Sequence, residues 1–465
     1  MPADAPARSD TPVQKKQAKL VTGSIPGHLV TQTLPMMAGG AALMSVGIID
    51  AYFIGQLGAS ELAAVSFIFP VTVALSSLGV GVIAGISSVT GRALGEGDEE
   101  KARQRGNMGI VLAAAFGLAI GLALFLFNGP LFRLMQADAE MIPLITAYMG
   151  PFALGFPLLL VNMGANGCLR GQGLAKRASS VLLFYAAANW ILDPILITGA
   201  FGFEGFGIAG AAYATIGGWI AGCLAGFFFL QRSALPLQPK TLGQCDWRRG
   251  TAALARVGAP AAFSNSINPI GLSVLTAFLA AGAGEAAVAG FGTGGRIQSF
   301  AVVPLLGLSA SIGAIVGQNW GAGQMDRVRS ALVYSAGFCV AYGLGIGALL
   351  VAFRESLGGI FSEDPEVIDA VSRYLSIAAW GYAGYGLLIV ANGALNALDF
   401  AGNALVQSLF RVLAVMVPVA WLLQENGDGV YIAELVANLV GGSIAVAMIW
   451  WVVWKRGRRS GETAR

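Results

Sequence analysis

Charged residues are scarce in this chain, and their scarcity excludes an ordinary soluble protein. Only 11% of the 465 residues are charged and 56% are hydrophobic, whereas soluble domains carry roughly 25% charged residues. Histidine occurs once, as His28, and the four cysteines are scattered. A histidine metal centre, a catalytic triad and a disulfide framework are therefore not expected. The composition predicts an integral membrane protein that is not an enzyme and uses no cofactor.

Long apolar runs make up most of the sequence. About 20 apolar residues cross a bilayer as a helix, and no cleavable signal peptide is expected before the first run. On this measure the chain is an all-α polytopic membrane protein with twelve transmembrane helices. The predicted spans lie near residues 27–55, 62–91, 107–128, 141–168, 180–198, 207–231, 257–282, 286–316, 331–353, 367–397, 401–423 and 429–454.

Basic residues collect in alternate loops. Loops after even-numbered spans carry arginine and lysine, whereas loops after odd-numbered spans are mostly acidic, with Arg133 and Arg354 as exceptions. Cytoplasmic loops of membrane proteins are enriched in positive charge. We therefore predict a multi-pass protein of the inner (cytoplasmic) membrane with both termini in the cytoplasm.

The two halves of the chain repeat each other. Val89–Gly97 resembles Ile315–Gly323, and the same offset along the chain relates Ala165–Gly167 to Ala391–Gly393. Each half has an even number of spans, and such parallel repeats commonly form the two lobes of a transporter. Two pseudo-symmetric six-helix lobes are therefore predicted. The organisation is a cytoplasmic tail (1–26), an N-lobe (27–231), a cytoplasmic linker (232–256), a C-lobe (257–454) and a basic cytoplasmic tail (455–465).

Two acidic residues, Asp50 and Asp193, lie inside apolar runs near the outer ends of spans 1 and 5. Asn189 precedes Asp193 by one helical turn and shares its face, and Thr215 lies at a similar depth in span 6. A charged acid facing lipid costs at least ~2.5–3.5 kcal/mol, so such groups usually mark ion pathways. These four residues are predicted to bind H⁺ or Na⁺ and no other metal. Pro194 is predicted to act as a hinge in helix 5.

Other polar and aromatic residues are candidates for a substrate cavity or for simpler roles. Aromatic rings can line a cavity for flat cationic molecules, and interfacial belts would explain the same rings equally well. For Arg296, a cavity wall and a partner in lobe packing both stay open. Glu434 is predicted to be interfacial, and Asp399 and Arg411 to be hydrated near a turn. The aromatic candidates are Tyr148, Tyr185, Trp190 and Tyr385.

Several segments together resemble the multidrug and toxic compound extrusion (MATE) family across both halves of the chain. The resemblance implies twelve helices in two lobes around a V-shaped cleft, and export of drugs in exchange for inward flow of H⁺ or Na⁺. The segments are Asp50–Gly58 (DAYFIGQLG), Leu62–Val65 (LAAV), Asn189–Ile195 (NWILDPI), Gly207–Ala212 (GIAGAA) and Val316–Gly323 (VGQNWGAG).

The resemblance also implies roles for individual residues. Asp50, Asn189 and Asp193 match the family's cation site in the N-lobe, and Thr215 matches it less closely. Tyr148 and Asn166 match cavity positions on helix 4 loosely.

The chain departs from the family pattern at several positions. Val46 stands where many relatives have tyrosine, and Gln298, a further cavity candidate, follows Arg296 where relatives often have glutamate. Helices 7 and 10 lack the mid-membrane acids of the branch that binds sodium in its C-lobe. The chain thus looks like the branch with an acidic cation site in the N-lobe.

The sequence predicts a secondary active multidrug exporter for organic, cationic amphipathic compounds. The nearest alternative is a flippase for lipid-linked oligosaccharides or other lipids, which would favour a cationic cavity. A major facilitator carrier is disfavoured because Gly91–Glu96 does not give its loop signature, and no Walker lysine motif indicates ATP. The expected partners are small-molecule substrates and the lipid bilayer, without nucleic acid, and the chain is expected to act as a monomer.

Overall fold

The computed structural model describes residues 18–424 and 427–456. Residues 1–17 of the predicted N-terminal tail, and residues 457–465 of the basic C-terminal tail, lie outside the described residues. The helices that cross the bundle are α1 (Ile25–Gly55), α2 (Ala59–Gly95), α3 (Glu99–Leu134), α4 (Met141–Gly171), α5 (Ala175–Leu196), α6 (Ile208–Gln231), α7 (Trp247–Gly282), α8 (Gly284–Ala301 with Val303–Gly321), α9 (Met325–Ala352), α10 (Pro365–Ala397), α11 (Ala401–Leu422) and α12 (Gly429–Trp454).

The prediction of an all-α membrane protein with twelve spans is confirmed. Eleven of these helices are long and apolar enough to cross a membrane, and the two parts of α8 together form the twelfth. A break at Val302 bends α8 by 45°. Pro304 follows the break, and its missing N–H cannot bond to the carbonyl of Phe300. The sequence predicts one span near residues 286–316 and gives no indication of this bend.

Several helices extend beyond their predicted apolar spans. The clearest cases are α3, which begins at Glu99, and α7, which begins at Trp247. In both, an aspartate caps the first turn: Asp98 accepts a hydrogen bond from Lys101 N at 2.9 Å, and Asp246 accepts one from Arg249 N at 3.0 Å. Hydropathy marks the part of a helix inside the membrane, whereas the caps determine where the helix begins.

Each half of the chain has its own apolar core. One core lies between Ala42 and Trp219 and another between Leu275 and Ala437. A third core includes Leu20, Ile25 and Leu29, which pack against residues of α8, α10 and α12. The start of the first lobe is therefore anchored on the second lobe.

The two lobes meet near the ends of α2 and α8, on the side of the bundle that carries the basic loops. We call this the basic side. A methyl group added to Gly95 would collide with the carbonyl of Gln318, and one added to Gly321 would collide with the carbonyl of Arg92. The repeat offset relates Gly95 to Gly321 and Arg92 to Gln318, so the sequence repeat corresponds to a reciprocal contact across a pseudo-twofold axis.

Polar contacts reinforce the same junction. Arg92 at the end of α2 forms an ion pair with Asp399 at 3.2 Å, and Arg256 of α7 approaches the same carboxylate at 3.5 Å. The Ser88 hydroxyl donates to the carbonyl of Asn396 at 2.6 Å. These contacts close the space between the lobes on the basic side.

Candidate functional site

An acidic cluster lies inside the N-lobe, where α1, α5 and α6 meet. Asp193 and Asn189 are fully buried on one face of α5, and Asp50 of α1 is half-buried. Each of the two carboxyl groups is an electrostatic neighbour of the other, and Asn189 also interacts with Asp50. Thr215 of α6 is buried, and the nearby Tyr148 interacts with both Thr215 and Asp50. The structure thus brings the four predicted cation-site residues together.

The polar atoms of this cluster lack partners. Asp50 Oδ1, both side-chain polar atoms of Asn189, both carboxylate oxygens of Asp193 and Thr215 Oγ1 are buried without a hydrogen bond to any described residue. One buried unpaired polar group costs about 1–3 kcal/mol. Six such atoms in one place are therefore unusual, and five of them are oxygens, the ligand type that binds protons and hard cations. The donor set fits H⁺ or Na⁺.

Aromatic residues enclose the acidic cluster. Tyr148 stacks on Phe152 with ring centres 5.7 Å apart, and Phe152 packs edge-on against Trp219 at 5.1 Å. Tyr185 of α5 is buried beside the same acids and Trp219. Tyr148 and Tyr185, predicted to line a substrate cavity, thus form the wall of the acidic cluster.

The segment around Pro194 stays helical. The α5 helix runs without a break through Pro194 and ends at Leu196, and Pro194 leaves the carbonyl of Trp190 without its usual helical partner. The hinge role of Pro194 stays a prediction. Trp190, a candidate cavity residue, is 38% exposed beside the exposed Ile191.

A second feature is a cavity of about 460 Å³ between the lobes, next to the closed basic side. Tyr385 of α10, a predicted cavity residue, lines it. The structure places three other candidates elsewhere. Asn166 is fully buried and donates to the carbonyl of Ala178 at 2.7 Å, Gln298 is buried against Glu434, and Arg296 is exposed on α8.

Two residues of the C-lobe are more deeply buried than the sequence predicts. Glu434, predicted to be interfacial, is 1% exposed, and its carboxylate accepts hydrogen bonds from Gln298 Nε2 at 2.7 Å and Tyr374 OH at 3.2 Å. Arg411, predicted to be hydrated, is 3% exposed. The C-lobe therefore contains buried ionisable groups of its own, although its described residues hold no pair of acids like Asp50 and Asp193.

The depth of Arg411 in the membrane could have been predicted from its distance to the start of α11. It lies ten residues after the start of α11 at Ala401, and at about 1.5 Å per residue this is near the middle of a bilayer. Glu434 gave a weaker signal, because it lies only five residues after the start of α12. Its burial depends on packing against Gln298 and Tyr374, which the sequence pattern does not encode.

No metal centre of the usual kind appears in the described ranges. Within residues 18–424 and 427–456, no three side chains of His, Cys, Asp or Glu come together as metal ligands.

Twelve apolar helices in two lobes, with a cavity between the lobes and a buried acidic cluster inside the first lobe, define a membrane transporter. The family model MatE matches residues 35–195 and 260–422, one segment in each lobe. The chain belongs to the MatE family.

Relatives of known name share almost the whole chain. A protein of Shewanella oneidensis named FAD transporter is 33% identical over 92% of this chain and 95% of its own length. A probable multidrug resistance protein of Bacillus subtilis, YoeA, is 28% identical over 89% of this chain and 91% of its own length. The crystal structure of a mutant of the Vibrio cholerae MATE transporter VcmN superposes with a TM-score of 0.87 at 27% identity, covering 94% of this chain and 97% of that one.

Proposed function

We propose that this protein is a secondary active multidrug exporter that exchanges organic compounds for H⁺ or Na⁺. The observation that carries the proposal is the set of buried, unpartnered polar atoms on Asp50, Asn189, Asp193 and Thr215. A cation bound there satisfies the oxygens of this set, and its release leaves two neighbouring carboxylates without compensation. The site therefore has two states of different energy, as coupling requires.

The separation of the two sites supports exchange. The cation site lies inside the N-lobe, whereas the cavity lies between the lobes. A change of packing around Asp193 and Pro194 shifts the neighbouring helix α1. This helix lines the cavity with Met36, Gly40 and Leu43. Cation binding thus acts on the substrate cavity through helix packing and without direct contact.

The closed basic side supports alternating access. We propose that this side faces the cytoplasm, with both termini there, in the inner membrane of a bacterial cell. The structure then represents a state closed toward the cytoplasm, and rocking of the lobes opens the junction at Arg92 and Asp399. Both lobes and the cavity lie within one chain, so the proposed unit is a monomer. We also propose that it needs no cofactor and binds no nucleic acid.

The names of relatives support export of varied organic molecules. The Bacillus subtilis relative is named for multidrug resistance, and the Shewanella relative is named for FAD, a negatively charged dinucleotide. The cavity does not support the expectation of a cationic substrate, because no acidic side chain lines it in the described chain and two arginines do. The same two arginines are the observation that favours the second candidate function, a flippase for a lipid-linked diphosphate.

Export driven by an imposed ion gradient tests the proposal. Purified protein in proteoliposomes is given a Na⁺ or H⁺ gradient, and movement of ethidium and of FAD is followed in separate experiments. We expect one of the gradients to drive export, and Asp193→Asn and Asp50→Asn to abolish the gradient-driven part. Undiminished ion-driven export in both variants would overturn the proposal.

A further inference from the structure

The central cavity has an unusual charge for a site that faces organic substrates inside a membrane. Among the described residues, its lining contains two arginines, Arg170 of α4 and Arg411 of α11, and no acidic side chain. One arginine comes from each lobe. The excess of positive charge is therefore a property of the space between the lobes and of neither lobe alone.

Arg411 is held in place by neutral groups. Its guanidinium donates to Asn438 Oδ1 at 3.0 and 2.7 Å and to Asn268 Oδ1 at 2.8 Å, and it lies 5.0 Å from the ring centre of Tyr385. The carboxylate nearest along α12, that of Glu434, is bonded instead to Gln298 and Tyr374. Glu434 thus acts on Arg411 only through space, and no carboxylate of the described chain forms a direct ion pair with the arginine.

The backbone at Arg411 is also unusual. Residues Phe410–Met416 form a π-helical segment within α11. Such segments are rare and occur frequently at functional sites, because the wider turn changes the direction of the side chains. Here the segment carries the arginine that lines the cavity.

The side chain of Arg170 has no partner in the described chain. No described residue forms an ion pair or a hydrogen bond with its guanidinium, and its Nε is buried without an acceptor. Arg170 lies in the last turn of α4, on the basic side, and a largely buried guanidinium without a partner is costly unless a ligand or water compensates it. Arg170 faces the same cavity from the opposite lobe.

The rest of the lining is suited to an amphipathic molecule. Asn265, Asn268, Asn392 and Asn396 supply neutral polar groups, and Asn396 Oδ1 is buried without a partner. Methionine, leucine and isoleucine side chains, together with the ring of Tyr385, supply apolar walls. The volume of about 460 Å³ lies within the range of roughly 300–1,000 Å³ that is typical of small-molecule sites.

From this arrangement we infer that the cavity binds organic anions, and that Arg411 and Arg170 recognise a phosphate or diphosphate group attached to a flat or apolar body. Guanidinium groups bind phosphate oxygens through paired, charge-assisted hydrogen bonds. The inference rests on the proposed transport function and specifies its substrate class. Two kinds of substrate carry this group: soluble nucleotides, such as a flavin nucleotide, and lipid diphosphates.

A matched pair of flavins tests the inference without any ion gradient. Flavin mononucleotide and riboflavin share one ring system and differ in the phosphate, and binding of both to the full chain in lipid nanodiscs is measured by fluorescence anisotropy. We expect flavin mononucleotide to bind at least about tenfold more tightly, as one charge-assisted hydrogen bond provides. Equal affinities of the two flavins would overturn the inference.

Variants assign the effect to the two arginines. Arg170→Gln and Arg411→Gln should each reduce the preference for the phosphorylated flavin about tenfold, the lower end of the range for a lost hydrogen bond to a charged group. Misfolding lowers the affinity for both flavins, whereas loss of phosphate recognition lowers only one. The Arg170 guanidinium has no hydrogen bond to a described residue to lose, so Arg170→Gln remains informative if Arg411→Gln does not fold. Arg296→Gln, which changes an exposed arginine outside the lining, is the control and should keep the preference.

Competition separates the two sources of phosphate. Displacement of the flavin nucleotide by ADP supports a soluble substrate, and displacement by geranylgeranyl diphosphate supports a lipid substrate. Failure of both competitors would overturn recognition of phosphate. Ion-driven export of ethidium by the same protein in proteoliposomes reports on the proposed function separately, so either idea can fail alone.

Discussion

Gly95 of α2 and Gly321 of α8 make equivalent contacts across the junction between the lobes. Each glycine lies against a backbone carbonyl of the other lobe, that of Gln318 for Gly95 and that of Arg92 for Gly321. The two glycines occupy equivalent positions in the sequence repeat. Close approach of two backbones needs residues without a side chain, so the repeat in sequence is the reason that the lobes join here.

Replacement of these glycines should open the junction. Gly95→Ala or Gly321→Ala places a methyl group against a carbonyl oxygen, and such overpacking costs about 1–3 kcal/mol. We expect the population to shift toward a state that is open on the basic side. Spin labels at Lys176 and Asp326, in a background without the four native cysteines, should then show a longer distance by electron resonance.

Gly337→Ala is the matched control for this measurement. Gly337 lies within α9 with no atom within 4 Å of an added methyl group. Alanine there should raise helix stability by up to about 1 kcal/mol and leave the distance distribution unchanged. A junction that stays closed in both Gly95→Ala and Gly321→Ala would contradict the assigned role.

The ion pair between Arg92 and Asp399 should contribute modestly to the same closure. Asp399 lies in the turn between α10 and α11 with a positive φ of 70°, a conformation that asparagine also tolerates. Asp399→Asn therefore removes the charge and preserves the turn. A partly exposed ion pair is worth up to about 1 kcal/mol, so we expect a shift of about fivefold or less toward the open state, smaller at high salt.

The ion pair between Glu100 and Arg103 provides the control for this measurement. Glu100→Gln removes an ion pair with Arg103 that lies within α3, so it should not change the distance between the lobes. If Asp399→Asn, like Glu100→Gln, left the distance between the lobes unchanged at low salt, the ion pair would not hold the lobes together.

Glu434 should be structural and should not couple ions to transport. Its carboxylate is the acceptor for Gln298 and Tyr374. Glu434→Ala leaves both donors buried without an acceptor and should lower the free energy of unfolding by about 1–3 kcal/mol. Glu434→Gln keeps an acceptor oxygen and should retain both stability and ion-driven export. Loss of coupled export in Glu434→Gln, at normal thermal stability, would move part of the coupling into the C-lobe.

The acidic cluster should be a functional site that does not stabilise the fold. Asp193 has no hydrogen bond from any described residue, and a neutral amide of equal size removes a buried charge and its repulsion with the neighbouring Asp50. Asp193→Asn should therefore keep or raise the midpoint of thermal unfolding while coupled export is lost. The measurement is thermal unfolding of the purified protein followed by fluorescence.

Asn166→Asp provides the opposite substitution as a control. Asn166 is fully buried and donates to the carbonyl of Ala178, and the change places a carboxylate against that oxygen. It should lower the unfolding midpoint clearly. A large loss of stability in Asp193→Asn, comparable to that of Asn166→Asp, would indicate a structural acid.

Much of the fold could be predicted because the bilayer restricts which residue types each part of the chain can carry. Apolar runs define the spans and the basic loops divide them into two sets. The acids Asp50 and Asp193 stand out because charge is rare at that depth. A cluster was predictable because Asn189 and Asp193 share one helix face and the other two residues lie at a similar depth.

Other features depend on packing that the sequence does not show. Helices that are apolar on all sides give little periodic signal for the side that faces a neighbour, so Glu434 was predicted to be more exposed than it is. The π-helical segment Phe410–Met416 depends on how backbone hydrogen bonds are shared locally. The placement of Tyr148 and Tyr185 around the acids, away from the cavity, depends on the packing of α4, α5 and α6.

Ion movement driven by substrate tests the central claim, that the N-lobe acids couple export to an ion, most directly. Proteoliposomes without any ion gradient receive an outward gradient of a transported compound, and uphill movement of H⁺ or Na⁺ is recorded with a pH dye or radioactive sodium. The wild-type protein is predicted to move one of these ions against the substrate flow, and Asp193→Asn to move none. Equal ion movement by Asp193→Asn and the wild type would contradict the account.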